Sequence, residues 1–351
     1  MSDVHLAPGS RPVTPSPRRP RTVLAMDAPV REALFDRAAL ERLAAVADVD
    51  PDLLVQDFAD PAAADALGAT EALLTGWGCP PITAGALALM PRLRTVVHAA
   101  GSVKEHVTQA CWDRGITVAS AADANAVPVA EFTVAAILFA GKRVLRAARA
   151  YREQRTAIDP FRLLADGGNH RRTVGVVGAS RIGRRVIELL SPYDLDLLLH
   201  DPYVDADRAK AWGVRSVPLD TLARSSSIVT IHAPALPETR HLFDRATLAL
   251  LPDGATLINT ARGSLVDTEA LTAELVAGRL DAVLDVTDPE VPDPASPLYD
   301  LPNVLLTPHI AGSLGNELPR LTQAALDELD RYARGLPYLA PVRAEDLTHS
   351  A

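Results

Sequence analysis

Short apolar runs typical of β-strands alternate with helix-forming segments along almost the whole chain of 351 residues. The β-like runs are residues 22–26, 71–75, 94–99, 116–119, 173–177, 197–201, 255–258, 283–286 and 304–308. The helical patterns include residues 29–46, 106–114, 128–152 and 317–334. Strands and helices that take turns in this way build parallel sheets covered on both faces. The pattern therefore predicts an α/β fold of two doubly wound parallel-sheet units with a cleft between them.

The composition agrees with a globular protein of two domains. Hydrophobic residues make up 48% of the chain, and 351 residues exceed what one core comfortably accommodates. The formal net charge of −9 is the opposite of the basic face that a nucleic-acid-binding protein needs, so no such partner is expected. The two cysteines, Cys79 and Cys111, indicate a reducing compartment without a disulfide framework, and neither belongs to a metal-binding motif.

The N-terminal 20 residues are rich in Pro, Ser and Arg and have no apolar segment like that of an export signal. They predict a disordered tail over residues 1–20, and a short solvated tail is favoured over one that binds an acidic partner. The longest apolar stretch, residues 132–140, is too short to cross a bilayer. No membrane association is therefore expected, and a cytoplasmic location is predicted.

A glycine-rich turn joins an apolar strand to a helix at residues 178–183, where the sequence is Gly-Ala-Ser-Arg-Ile-Gly. The dinucleotide-binding pattern in this context is G-x-G-x-x-G, in which Gly178 makes the turn and Gly183 lets helix and strand pack closely. Ser180 occupies the second glycine position, so the turn alone could belong to any strand–turn–helix unit. Asp201 ends the next strand at about the ~20-residue offset of the acid that binds a ribose 2′-hydroxyl. Considered alone, Asp201 would be a turn residue before Pro202. Combined with the glycine-rich turn, its carboxylate would repel a 2′-phosphate and so favours NAD(H) over NADP(H).

Arg262, Glu290 and His309 each lie just past the C-terminal end of a β-like run. An open α/β sheet builds its ligand crevice at that edge, so we expect the three side chains to meet there. Each residue alone would be interpreted as a surface or turn residue. Together, an arginine, a carboxylate and a histidine can bind a carboxylate substrate and move a proton.

The motifs around these residues resemble those of the D-2-hydroxyacid dehydrogenase family. They are Asn-Thr-Ala-Arg-Gly-Ser-Leu-Val-Asp at 259–267, Leu-Asp-Val at 284–286 leading to Glu290, and Pro-Leu-Tyr-Asp-Leu-Pro-Asn-Val at 297–304 running into Thr-Pro-His-Ile-Ala-Gly at 307–312. The resemblance covers about residues 90–335. It implies a flavodoxin-like substrate domain (residues 21–123 and 313–345), an inserted Rossmann NAD-binding domain (residues 124–312), and usually a homodimer.

The resemblance also implies roles for individual residues. Arg262 would hold the substrate carboxylate and the oxygen undergoing reduction, because a guanidinium meets a carboxylate bidentately. His309 would be the acid/base, with Glu290 orienting it and favouring the imidazolium. The backbone amides of Gly101 and Ser102 would complete the carboxylate site. The implied NAD contacts, besides the glycine turn and Asp201, are Arg181, Ile182, Thr260 and Asp285, and the last would meet the nicotinamide carboxamide. No metal is implied.

The chain departs from the family pattern near the substrate. Thr287 and Val291 stand where the family usually has an aromatic residue and a proline, so the loop carrying Glu290 is expected to differ. Residues 99–105 depart from the usual Gly-x-Gly-Val-Asp turn, which leaves the substrate side chain open. Trp77 is interpreted equally well as lining this pocket or as packing in the core.

The implied activity is the NAD-dependent interconversion of a small 2-oxo acid and its D-2-hydroxy acid. Glu290 argues against the formate-oxidising branch, in which no substrate proton needs an acid/base pair. An NAD(H)-sensing, corepressor-like scaffold with the same fold and little turnover is the alternative from another class. A rare branch that oxidises a non-carbon substrate is a further alternative.

Overall fold

The computed structural model describes residues 18–348. Its strands, numbered in chain order, are β1 (Arg21–Ala25), β2 (Asp48–Val55), β3 (Ala72–Thr75), β4 (Thr95–His98), β5 (Thr117–Ser120), β6 (Arg172–Val177), β7 (Leu195–His200), β8 (Arg215–Ser216), β9 (Ile228–Ile231), β10 (Thr256–Asn259), β11 (Asp281–Leu284), β12 (Val304–Leu306) and β13 (Pro341–Val342). Its α-helices are α1 (Ala28–Leu34), α2 (Arg37–Val46), α3 (Ala64–Ala69), α4 (Ala84–Leu89), α5 (Gln109–Asp113), α6 (Ala122–Gly141), α7 (Val144–Gln154), α8 (Pro160–Leu163), α9 (Arg181–Leu190), α10 (Ala206–Ala211), α11 (Leu219–Ser225), α12 (Arg245–Leu250), α13 (Thr268–Val276) and α14 (Leu318–Ala333).

The first sheet has the strand order β13-β5-β4-β3-β1-β2. Its strands are parallel except β13, which returns from the C-terminal end and pairs antiparallel with β5. Successive residues of one strand enter different cores: Leu73 belongs to one apolar cluster and Leu74 to another on the opposite face. Both faces are therefore covered, as the near-continuous apolar strands predict.

The second sheet has the strand order β12-β11-β10-β9-β6-β7-β8 and is parallel throughout. Its order reverses at β6, with β9 on one side and β7 on the other. Ligands bind at such a switch point in open α/β sheets. The prediction of two doubly wound parallel sheets is confirmed, except that the edge strand β13 is antiparallel.

Helix α6 connects the two sheets. By length and composition, this helix of 20 residues is long and apolar enough to cross a bilayer. The apolar stretch at residues 132–140 is therefore only one part of a longer apolar helix. The helix packs on α9, β9 and β10, and Ala130 and Ile137 are fully buried against the second sheet. This packing inside the protein accounts for its apolar composition.

Two segments predicted as single helices are each two helices. Residues 29–46 break at Asp36, whose carboxylate caps α2 by accepting the Ala39 N–H (2.8 Å). Residues 128–152 break at Arg143, which adopts a left-handed conformation (φ 54°). The buried Arg143 guanidinium binds Asp166 (2.9 Å) and the Gly254 carbonyl (2.5 Å), so contacts distant in sequence bend the chain there.

Four strands, β2, β8, β9 and β13, have no counterpart among the predicted strands. Strand β2 lacks a β-like pattern because its first five residues, Asp-Val-Asp-Pro-Asp, are largely exposed and polar. Residues 18–20 of the predicted tail lie against the fold, where Arg18 pairs with Glu71 (2.7 Å) and Arg19 donates to the Ala47 carbonyl. The rest of that tail lies outside the described residues.

Candidate active site

A cleft of about 1620 Å³ is lined by residues at the carboxyl edges of both sheets. The loops after β1, β3 and β4 contribute from the first sheet, and those after β6, β7, β9, β10, β11 and β12 from the second. Nearly all the sequence-predicted site residues line it: Gly101, Ser102, Gly178, Ser180, Arg181, Ile182, Asp201, Thr260, Arg262, Asp285, Glu290 and His309. Gly183 is the exception, because it lies in the first turn of α9, packed against the Gly178 carbonyl.

The glycine turn is shaped by close backbone contacts. A Cβ at Gly178 (φ 92°) would lie 2.6 Å from the Ala233 nitrogen, and one at Gly183 would lie 2.0 Å from the Gly178 carbonyl oxygen. Ser180 has extended backbone angles and is the N-cap of α9, its hydroxyl accepting the Gly183 N–H (3.4 Å). The serine thus faces the helix end, so this position needs no glycine. The free N–H groups of α9 suit a pyrophosphate.

Asp201 follows β7 and is held beside the same turn. One carboxylate oxygen accepts the Ala179 N–H (2.6 Å), and the other accepts the Tyr203 N–H (2.8 Å). Each oxygen keeps a further acceptor position for a ribose hydroxyl. Arg181, at the start of α9, forms an ion pair with Asp123 at the start of α6. These features fit a dinucleotide along the turn.

His309 and Glu290 form a direct pair, with His309 Nδ1 2.6 Å from Glu290 Oε1. Both side chains are about half exposed, so the pair is open to the cleft. With Nδ1 engaged by Glu290, Nε2 is the ring nitrogen that can exchange a proton with a ligand.

Asp285 holds the turn that presents His309. One of its carboxylate oxygens accepts the Thr307 hydroxyl (2.7 Å) and the Ile310 N–H (2.8 Å), and the other accepts the Ala311 N–H (2.9 Å). The His309 N–H donates to the Asp285 carbonyl (2.9 Å), and His309 itself has a left-handed backbone (φ 54°). The buried carboxylate therefore fixes the backbone on which the histidine stands.

The loop of Glu290 is held by a hydroxyl. The buried Thr287 donates to the carbonyls of Pro289 (2.8 Å) and Glu290 (3.1 Å), so the residue that replaces the family's aromatic side chain organises the loop by hydrogen bonds. In the neighbouring strand end, Asn259 donates to the Arg262 carbonyl (2.9 Å) and accepts the Ala261 N–H (3.1 Å). This fixes the turn from which Arg262 enters the cleft.

Asn125 is a cleft residue that was missed in the sequence analysis. Its Oδ1 accepts the Ser313 N–H (2.9 Å), and its Nδ2 faces Gly101, where a Cβ would lie 3.1 Å away. It therefore connects the turn after β4 with the turn after His309. Its position in the sequence, next to the predicted domain boundary at residue 124, could have indicated a role at the cleft.

Two buried histidines near the turn after β4 were also missed. His98 Nδ1 lies 2.9 Å from the Thr75 hydroxyl and His106 Nε2 lies 3.3 Å from it, with the two ring centroids 4.4 Å apart. Burial lowers the pKa of His106 to about 4. Burial, together with His106, holds the pKa of His98 well below its ordinary value. Both rings are neutral at pH 7, and they pack beneath residues 99–105 as structural residues.

His232 is buried beside the glycine turn, and burial lowers its pKa to about 3. Within residues 18–348, no group of three or more His, Cys, Asp or Glu side chains is arranged to hold a metal ion.

The comparisons with known proteins agree with this geometry. The family described as "D-isomer specific 2-hydroxyacid dehydrogenase, NAD binding domain" matches residues 134–311. A glyoxylate reductase from Aeropyrum pernix is 34% identical over 256 residues, which are 71% of this chain and 76% of that protein. A D-3-phosphoglycerate dehydrogenase from Archaeoglobus fulgidus is 34% identical over 229 residues, 65% of this chain. The chain spans only 43% of that relative's length.

A solved 2-hydroxyacid dehydrogenase from Ketogulonicigenium vulgare has the same fold, with a TM-score of 0.76 and 27% identity over 93% of this chain and 99% of that one. Because the matched family is defined by its NAD-binding domain, the cofactor is a nicotinamide dinucleotide. The match covers half of the chain and contains the glycine turn, Asp201, Arg262, Glu290 and His309. The chain therefore belongs to the D-isomer specific 2-hydroxyacid dehydrogenase family.

Proposed function

We propose that this protein interconverts a 2-oxo acid and its D-2-hydroxy acid with NAD(H). The observation that carries the proposal is the His309–Glu290 pair, 2.6 Å apart, in the same cleft as Arg262 and the dinucleotide turn. A proton-transfer pair beside a carboxylate-binding cation and a hydride carrier is what reduction of a 2-oxo acid requires.

Each residue of the site has a distinct task in this proposal. Arg262 binds the substrate carboxylate and the carbonyl oxygen, and the backbone amides of Gly101 and Ser102 bind the carboxylate from the first sheet. His309 donates a proton from Nε2 to the carbonyl oxygen during reduction and takes it back during oxidation. Glu290 keeps the imidazole oriented and stabilises its charged form. The nicotinamide supplies or accepts the hydride when it is bound.

Several residues would hold the dinucleotide. The helix N-terminus at Arg181 and Ile182 suits the pyrophosphate, and Asp201 suits a ribose hydroxyl and repels a 2′-phosphate. Asp285 uses three of about four acceptor positions for the His309 turn, which leaves one on Oδ2 for the nicotinamide carboxamide. Thr260 completes this wall, and its hydroxyl lies 2.9 Å from that of Thr133 on α6.

The test is NADH oxidation by purified protein with a panel of 2-oxo acids, for wild type and two variants. His309→Ala should lose at least about 100-fold in kcat, as expected for loss of a positioned acid. His170→Ala, which removes an exposed histidine outside the cleft, is the matched control. Arg262→Ala should raise KM and lower kcat with NADH affinity nearly unchanged, while Arg37→Ala on exposed α2 should change nothing.

The outcomes separate enzyme from sensor. Turnover that depends on His309 and Arg262 supports the proposal. Tight NADH binding without turnover of any 2-oxo acid would instead favour the NAD(H)-sensing scaffold. Turnover that survives both substitutions would refute the assigned roles.

We further propose that the two sheets define the substrate domain (residues 21–123 and 313–345) and the NAD-binding domain (residues 124–312), and that the protein is a homodimer. Exposed aromatic residues on three successive helices support the dimer: Phe139 on α6, Tyr151 on α7 and Phe161 on α8. Light scattering should give twice the 37.3 kDa chain mass, and Phe161→Glu should shift it towards the monomer. A wild-type protein that is monomeric at micromolar concentration would refute this.

A further inference from the structure

Three neighbouring loops line the first-sheet side of the cleft. Strands β4, β3 and β1 are adjacent and parallel, so the loops that follow them lie side by side. Thr75 pairs with His98 and with Ala25, which sets residues 76–78 beside residues 99–101 on one side and 26–28 on the other. The carboxylate-binding turn at Gly101 is thus next to the loop of Trp77, and that loop is next to the start of α1.

Trp77 lies in the cleft and not in the core. Its side chain is 41% exposed although the strand before it is fully buried. The Trp77 carbonyl accepts the Asp27 N–H (3.0 Å), and a Cβ at Gly76 would lie 3.1 Å from both Met26 and Val30. The loop is therefore fixed against α1, and the indole is presented to the cleft.

Apolar side chains from α1 and from the start of α14 line the cleft together with this indole. Helix α1 packs against α14, and the turn after His309 leads into α14, whose first residues complete the wall. Leu314 is among the exposed large apolar side chains of the protein, as Trp77 is. We call this region the apolar recess, and its lining residues are Pro29, Val30, Ala33, Trp77, Leu314 and Leu318.

We propose that the apolar recess binds the side chain of the substrate, and that this side chain is a large apolar group, aromatic or branched aliphatic. The proposal rests on the proposed function, since the recess adjoins the turn that would bind the substrate carboxylate. A 2-oxo acid anchored there and at Arg262 extends its third substituent away from the carboxylate. Apolar walls bind hydrocarbon by removing it from water, and a hydrogen or methyl group would leave the indole and Leu314 uncovered.

An anionic substrate side chain is the competing possibility, because Lys104 follows the same turn. Burial, with a contribution from Arg262, lowers the pKa of the Lys104 ammonium. However, Lys104 lines a smaller cavity of about 460 Å³ that adjoins the main cleft through Leu236, Glu238 and Leu347, and Lys104 itself does not line the main cleft. The six residues of the recess include no charged side chain. The observations therefore favour the apolar occupant.

The test compares kcat/KM for phenylpyruvate and 4-methyl-2-oxopentanoate with that for pyruvate, glyoxylate and oxaloacetate. Wild type should prefer the two large apolar acids over pyruvate by at least about 10-fold, the scale of discrimination by an apolar pocket. Trp77→Ala and Leu314→Ala should each reduce this preference at least about 5-fold, through a lower kcat/KM for the two large apolar acids. Tyr193→Ala, which removes a 43% exposed aromatic side chain outside the cleft, is the matched control and should keep the preference.

Equal or better turnover of pyruvate or glyoxylate would overturn the proposal. A preference for oxaloacetate would also overturn it, and would instead indicate a substrate with an anionic side chain. A preference unchanged in both variants would also overturn it. Calorimetric binding of D-phenyllactate and D-lactate to the NADH complex, in which no reaction occurs, separates this result from failure of the proposed function. Phenyllactate selectivity that is lost in Trp77→Ala would support the recess even if no 2-oxo acid were reduced.

Discussion

Acidification should destabilise this protein through the buried pair His98 and His106. The pair shares the Thr75 hydroxyl near the turn of residues 99–105 and has little access to water, with His106 only 3% exposed. A proton added to either ring would place a charge in the core without a counter-ion among its described contacts. The substitution that tests this is His106→Gln, which removes one titrating ring and keeps a polar side chain.

The pKa of His106 sets the size and sign of the effect. Its pKa is about 4 in the folded protein against an ordinary value of 6.5, so the unfolded chain binds the proton more tightly. The stability from the neutral ring is fully present above pH 6.5 and is lost as pH falls through this window towards 4. Each pH unit is worth about 1.4 kcal/mol, so His106 alone should lower the free energy of unfolding by about 2 kcal/mol between pH 7 and pH 5.

Urea unfolding at pH 7, 6 and 5 measures this directly. The free energy of unfolding of wild type should fall by about 2 kcal/mol more than that of His106→Gln over this range. His170→Gln, which removes an exposed histidine paired with Asp194, should retain the wild-type slope. Parallel curves for wild type and His106→Gln would refute the reasoning, because they would show that the buried ring does not control the pH dependence.

Three further substitutions test the cleft. In Gly183→Ala the new Cβ would lie 2.0 Å from the Gly178 carbonyl oxygen, so the free energy of unfolding should fall by about 2–3 kcal/mol. The same clash should weaken NADH binding in calorimetry, and a normal NADH affinity would contradict this. Asp285→Asn should lower kcat about 10-fold or more with NADH affinity within a few-fold, because an amide –NH2 would face donors of the His309 turn; an unchanged kcat would be the contrary result. Asp201→Ala should raise the NADPH-to-NADH ratio of kcat/KM about 10-fold, and a wild type that already prefers NADPH would contradict the assignment of Asp201.

The meeting of Arg262, Glu290 and His309 in one cleft could be anticipated because it depends on local order. Each residue follows a strand, and the three strands, β10, β11 and β12, are consecutive in the chain and adjacent in the sheet. Consecutive parallel strands usually neighbour one another, and their carboxyl ends share an edge. Sequence order alone therefore predicts that the three side chains face the same space. The glycine turn and Asp201 follow by the same argument from β6 and β7.

Features that depend on distant contacts could not be anticipated. The chain breaks at Arg143 because its guanidinium binds Asp166 and the Gly254 carbonyl, and the second of these lies 111 residues away. A single helix over residues 128–152 would place Arg146 and Arg149 towards its C-terminus, where cations complement the helix dipole. Both residues instead lie within α7, where they pair with Asp166 and Glu153. Helical periodicity describes one helix face and contains no information on such partners.

Asn125 shows how the two halves of the site are kept in register. The backbone amides after β4, which we propose bind a carboxylate, and the histidine after β12 belong to different sheets, so their relative position needs a connection that neither sheet provides. Asn125 supplies it from the first turn of α6, accepting the Ser313 N–H while its amide lies against Gly101 and Gly312. A Cβ would lie 3.1 Å from Asn125 at Gly101 and 3.3 Å at Gly312, tighter than ordinary contact. Glycine at both positions thus lets one side chain reach both turns, and this contact sets the spacing between the proposed carboxylate site and the proposed proton donor, His309.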